Sequence, residues 1–176
     1  AECLNCHKKN LEAIPIGPKP QNLNTDYSYS DGTMNQLQKW KDLGMISGSI
    51  PSAIETVVDW TDETESLNDR VRAYVDMNCS HCHADQRHCD YRAPRFAWNE
   101  TTDPANLGIC VEPDETPLPQ HTHIISSGNV PRSALYYRIN STDETVRMPL
   151  LGRTIVHEEA VQLIEQWINT LNPPCN

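Results

Sequence analysis

Leu67-Asn-Asp-Arg-Val-Arg-Ala-Tyr-Val-Asp-Met-Asn-Cys79-Ser-His-Cys82-His83 is the stretch on which the reading of this chain turns. Leu67, Val71, Tyr74 and Val75 recur at helical spacing on one face, and Ser66 with Asp69 forms a capping pair at the start. The helix therefore runs directly into a Cys-x-x-Cys-His motif. A second copy, Cys3-Leu-Asn-Cys6-His7, stands near the other end. No internal repeat extends beyond these two five-residue segments.

Cys-x-x-Cys-His supplies two thiols spaced to meet the two vinyl groups of a haem, and a histidine beside the second thiol to bind the iron. At this Cys and His content chance alone gives roughly 0.01 such motifs in a chain of this length, so two copies are specific. Two haem c groups are expected, on Cys3, Cys6, Cys79 and Cys82, with His7 and His83 as iron ligands. Zinc is the main rival, because two Cys-x-x-Cys pairs can build a tetrahedral site. Cys6 and Cys79 are 73 residues apart, however, well beyond the usual spacing of about 15–20, and the trailing histidines have no place in a four-cysteine site.

Each iron then needs a sixth ligand or an open position, and that choice separates electron carriers from haem enzymes. Met148, in Arg147-Met-Pro-Leu150, is the candidate for the second haem: Pro149 stiffens its loop just ahead of the last helix, 65 residues after His83. Core packing is the plainer role for that methionine. For the first haem Met45 is preferred, in the loop after the helix stop at Gly44, with His121 and His123 as alternatives and a ligand from a neighbouring molecule also open. His81 cannot turn back to the iron of its own motif, yet it can face the first haem.

Seven cysteines less the four in the motifs leave Cys89, Cys110 and Cys175. A Cys89–Cys110 disulfide is expected, in keeping with an oxidising compartment, with Cys175 as the odd thiol, either lone or paired between chains.

The 176 residues and 19.9 kDa allow one domain with a smaller lobe. Only 38% of residues are hydrophobic, and there is a single Phe, so side chains alone offer a modest core that two apolar haem discs would enlarge. A net charge of −10 excludes nucleic acid as a favoured ligand and favours basic partners. No apolar run is long enough to span a membrane, and no leader precedes Ala1, which reads as the start of a mature protein or a fragment.

Residues 1–30 read as a loop wrapped around something, residues 31–43 as a helix on Met34, Leu37, Trp40 and Leu43, and residues 158–171 as the last helix on Val161, Ile164, Ile168 and Leu171. Residues 134–139 fit a helical turn or a short strand equally well. The expected architecture is mainly α: a cytochrome c-like helical domain with long loops over residues 62–176, and a small haem-bearing lobe over residues 1–61.

These segments carry a resemblance. Cys3-Leu-Asn-Cys-His7, Ile14-Pro-Ile-Gly-Pro-Lys19, Asn22-Leu-Asn24, Asn78-Cys-Ser-His-Cys-His83, Asp103-Pro-Ala-Asn-Leu-Gly-Ile-Cys110 and Arg147-Met-Pro-Leu-Leu-Gly-Arg153 make the chain similar to the C-terminal half of a family of uncharacterised bacterial dihaem cytochromes c. The resemblance implies haem at both motifs, a cytochrome c-like second half and Met148 as its ligand, but no particular reaction. Members of that family often carry a larger upstream domain, and no cysteine at the position of Cys89.

The function expected is electron transfer between redox partners in the periplasm or outside the cell, with a homo-oligomer or filament of stacked subunits as one arrangement. A peroxidase-like haem enzyme with one open iron and a zinc-stapled binding module are the alternatives.

Overall fold

The computed structural model describes residues 3–10 and 12–176. In chain order the elements are α1 (Cys3–Cys6), β1 (Lys8–Lys9), β2 (Glu12–Ala13), α2 (Pro20–Leu23), β3 (Asp26–Tyr29), β4 (Gly32–Asn35), α3 (Gln36–Asp42), α4 (Leu67–Asn78), a 3-10 turn (Val130–Arg132), α5 (Ala134–Ile139) and α6 (Glu158–Thr170). The expectation of a mainly α, cytochrome c-like architecture is corrected here. Helix accounts for 28% of the protein and strand for 9%, so most of the chain is turns and loops. Part of the reason is local competition for the backbone. Asp59, Asp62 and Asp143 each accept both the N–H and the hydroxyl of the Thr two residues on, at 2.7–2.9 Å, which gives the main chain a partner outside a helix.

The N-terminal third departs furthest from the loop-and-helix expectation. β1 pairs antiparallel with β2, and β3 with β4 in the register Asp26↔Asn35, Tyr27↔Met34, Ser28↔Thr33 and Tyr29↔Gly32. Tyr27 and Tyr29 share one face of β3, their rings 4.9 Å apart and edge-on, and Lys39 lies 5.0 Å from the Tyr29 ring. Gly32, at φ 128°, takes the backbone out of the turn where a side chain would be strained. Since β4 occupies Gly32–Asn35, α3 begins only at Gln36, where the Asn35 side chain accepts the N–H groups of Leu37 and Gln38. Of the expected stripe only Leu37 is buried; Met34 and Leu43 are exposed.

The two long helices lie where periodicity puts them and form the centre of the molecule. The Ser66 hydroxyl accepts the Asp69 N–H at 3.0 Å and donates to its carboxylate at 2.8 Å, closing the N-terminus of α4. Val71 and Val75 of α4 pack on Leu163, Ile164, Trp167 and Ile168 of α6, with Phe96, Leu107, Ile125 and Val130 completing the core. The Trp167 indole N–H reaches Asn68 Oδ1 across the helix pair at 3.1 Å. Residues 134–139 are resolved as helix α5, whose N-terminus follows the 3-10 turn.

Residues 104–128 fold as a loop against this core. Cys110 donates its N–H to the Ile125 carbonyl at 2.9 Å, and Ile125 donates to that of Gly108 at 2.9 Å. The C-terminal tail returns to this place, and Cys110 is bonded to Cys175. The expected Cys89–Cys110 pair is thereby corrected. Cys110 faces the returning tail, while Cys89 is a buried free thiol held next to the second motif by its N–H to the Cys82 carbonyl at 3.0 Å.

Gly108 has φ 83°, and a Cβ there would fall 2.8 Å from Ile124 Cβ and closer still to its Cγ2. Gly108→Ala is therefore expected to destabilise the chain by about 2 kcal/mol or more, read as a lowered urea midpoint at unchanged slope.

Candidate functional site

The two Cys-x-x-Cys-His segments adopt the same backbone turn. His7 donates its N–H to the Cys3 carbonyl at 2.9 Å, and His83 donates to that of Cys79 at 3.0 Å. In the second copy the turn grows out of the end of α4, where Cys79 and Ser80 both donate to the Val75 carbonyl. Phe96 then fixes the ring of His83, the centroids 5.3 Å apart and edge-on, while its N–H bonds the His83 carbonyl at 3.2 Å.

The fold brings these distant segments together. Cys6 Sγ and Cys82 Sγ are 3.9 Å apart, and the Cys82 thiol points to the Asn5 carbonyl at 3.6 Å. His81 joins them, so that the ligand atoms of Cys6, His81 and Cys82 all lie within 4.8 Å of one another. Asn10 donates to the Gln86 carbonyl at 2.8 Å and Arg87 to that of Lys8 at 3.2 Å, which stitches the N-terminal segment along residues 82–87.

Behind this contact stands a buried charge. Asp76, 1% exposed, lies one turn before the second motif on α4. Its Oδ1 accepts the Lys19 ammonium at 2.5 Å and the Trp98 N–H at 2.8 Å, while Oδ2 has no partner. Lys19 also donates to Ser80 Oγ at 2.7 Å. A cavity of about 210 Å³ opens beside this cluster, lined by Ile16, Lys19, Ser80, His81 and Arg87 among others.

Burial sets the protonation of the site. It pushes the Cys79 thiol up to about 12, with the Asp76 carboxylate adding, and raises Cys82, where the neighbouring Cys6 adds. Thiols of this kind are protonated at neutral pH, unlike the low-pKa cysteine of a redox Cys-x-x-Cys pair. Burial pushes His83 down to about 4, helped by the Arg95 charge, and lowers His81, helped by Lys19 and Arg87. Both imidazoles are thus neutral, the form that binds a metal. The Nδ1 atoms of His81 and His83 are buried without a partner.

The other expected ligands are outside the Cys6–His81–Cys82 group. Met148 is half-buried, its N–H donating to the Arg138 carbonyl at 3.0 Å, and the Arg138 guanidinium in turn holds the Val146 carbonyl at 3.1 Å. The Tyr74 hydroxyl, pushed up to about 12 by burial, feels both the Cys79 thiol and the Arg153 charge. Met45 is 67% exposed beside α3, its N–H on the Trp40 carbonyl. His121 is buried against Tyr137, ring centroids 4.7 Å apart, on a separate cavity of about 380 Å³. His123 is buried with its Nδ1 2.9 Å from the Thr122 hydroxyl.

The donor set at Cys6, His81 and Cys82 is one that could hold a metal ion. Four cysteines are free in two matching turns, and exposed apolar side chains flank them: Leu4 inside the first motif, Met77 just before the second, and Ile16 beside the cavity. The group of Lys19, Asp76, Ser80 and Arg87 was missed in the sequence, since charges dispersed over 69 residues carry no spacing signal. No family model matches this chain, and neither a curated protein nor a solved structure is similar to it. No helix among the described residues is long and apolar enough to cross a membrane.

Lys19→Ala leaves the Asp76 carboxylate buried with only the Trp98 N–H. A loss on the order of 2 kcal/mol is expected, visible in thermal unfolding, and Lys19→Ala combined with Asp76→Asn should recover part of it.

Proposed function

We propose that this chain is a dihaem c-type electron carrier acting outside the cytoplasm, with one haem held by Cys3, Cys6 and His7 and the other by Cys79, Cys82 and His83. The observation that carries this reading is the 3.9 Å approach of Cys6 and Cys82, which sets the two Cys-x-x-Cys-His turns from distant parts of the chain side by side. Electron transfer weakens steeply with separation, so adjacent attachment turns suit a relay.

A haem supplies a one-electron iron couple whose potential follows its axial ligands, burial and hydrogen bonding. The chain's own residues do the rest. Cys3, Cys6, Cys79 and Cys82 would hold the two groups as thioethers, and burial keeps the Cys79 and Cys82 thiols in the protonated form. Neutral His83, its ring packed on Phe96, would hold the iron of the second group. Exposed Leu4, Ile16 and Met77 would lie against the apolar faces of the group, and the Arg87 charge would offer a partner to a propionate. Met148 is the sixth ligand we assign to the second iron. The Cys110–Cys175 disulfide supports an oxidising compartment. The charge of −10 favours basic redox partners, with association that slows as salt is added. Stacking of subunits into a file of haems is the arrangement that would extend the relay.

A pyridine haemochrome assay should give two haems per chain, and thiol titration of the denatured, unreduced protein should give one thiol, Cys89. Five thiols with no haem absorbance, accompanied by stoichiometric zinc, would contradict the reading and assign Cys6, His81 and Cys82 to a zinc site. Met148→Ala should abolish the long-wavelength methionine–iron absorption band of the oxidised protein while the haem count stays at two. Persistence of that band would remove Met148 from the iron.

A further inference from the structure

We propose that His81 is the second axial ligand of the iron held at the first motif, opposite His7, so that the second motif supplies a ligand to each of the two irons. The inference rests on the haem reading above and deepens it. His81 sits between Cys79 and Cys82, a position from which its ring cannot turn to the iron of its own motif. Its ligand atom lies within 4.8 Å of Cys6 Sγ, a residue of the other motif 75 positions away. Its Nδ1 is buried without a hydrogen-bond partner, and His81 also lines the 210 Å³ cavity between residues 15–19 and 80–87. A buried imidazole nitrogen with no partner costs free energy unless something binds or orients the ring.

The surroundings hold His81 in place. Lys19 on Ser80, Asn5 on Cys82, Arg87 on Lys8 and Asn10 on Gln86 pin the backbone on both sides of it to the first motif's segment. The sequence alternatives lie outside the Cys6–His81–Cys82 group. Met45 stands in solvent by α3, His123 is bonded to Thr122, and His121, its Nδ1 also unpartnered, packs on Tyr137 beside the separate 380 Å³ cavity. Among the described histidines, His157 is bonded to the Tyr74 hydroxyl at 3.1 Å.

Two consequences follow. His81 and His83 are two residues apart, so one short backbone segment joins the two irons and fixes the spacing of the haems. The first haem becomes a bis-imidazole site and the second a methionine–imidazole site, which places the first at the lower potential.

The test uses the full haem-loaded chain with His81→Ala and His81→Met, read by haem count, electron paramagnetic resonance, carbon monoxide binding and a spectroelectrochemical titration. The parent should hold two haems, both six-coordinate and low-spin. His81→Ala should keep both haems and turn one iron high-spin, able to bind carbon monoxide when reduced, with added imidazole restoring the low-spin signal. His81→Met should leave both irons low-spin and raise the potential of one haem only. Should the alanine chain fail to take up haem, the methionine variant decides. Two low-spin irons unchanged in His81→Ala, or potentials unchanged in His81→Met, would overturn the assignment, as would a parent whose first iron is already high-spin. A parent with fewer than two haems would instead defeat the haem reading itself.

Discussion

A carboxylate buried one turn before a cysteine motif is costly, and the arrangement of this molecule follows from how that cost is met. Asp76 is 1% exposed on α4, and its main compensation comes from Lys19, a residue 57 positions earlier. An unpaired charge in such a place would cost several kcal/mol. The pairing therefore draws residues 15–19 onto the end of α4, and with them the first motif. Ser80 accepts from the same ammonium, Trp98 donates to the same carboxylate, and Cys6 arrives beside Cys82. The ion pair contributes specificity of placement more than net stability, since a matched apolar pair would hold α4 equally well but fix no register.

The apolar interior abuts the second motif, since Phe96 packs on His83 and Cys79 lies against the core. α4 and α6 bury Val71, Val75, Ile164, Trp167 and Ile168 there, while Met77 and Leu4 are exposed. Val57, Ala73 and Trp98 form a second, smaller cluster that ties residues 57–60 to α4, with the Arg72 guanidinium 4.1 Å from the Trp98 ring centroid. Two apolar discs laid against the motifs would add to a core that the side chains leave thin, which accords with the 38% hydrophobic content.

What the sequence made legible was local. The capping pair Ser66 and Asp69, the period of Val71 and Val75, and the long apolar face of α6 placed both helices, because each signal lies within a few residues. The paired Cys-x-x-Cys-His segments were legible for the same reason. The hairpin of β3 and β4 was not: Met34, Leu37, Trp40 and Leu43 have helical spacing, and the alternation of Tyr27 and Tyr29 across a turn at Gly32 is too short to compete with it on paper. The Cys110–Cys175 bond escaped because pairing depends on where the tail returns, and three leftover cysteines allow any choice. The approach of His81 to Cys6 was open to suspicion from its place in the motif, but the Lys19–Asp76 contact beside it joins residues 57 positions apart and carries no local signal.

The proposed relay requires two haems side by side on one chain at these motifs, and low-temperature electron paramagnetic resonance of the oxidised protein reads their proximity. Adjacent ferric haems should interact magnetically, giving broadened and shifted signals that simplify when one haem alone is reduced. Two sharp, independent low-spin spectra unaffected by partial reduction, or no haem signal at all, would contradict it.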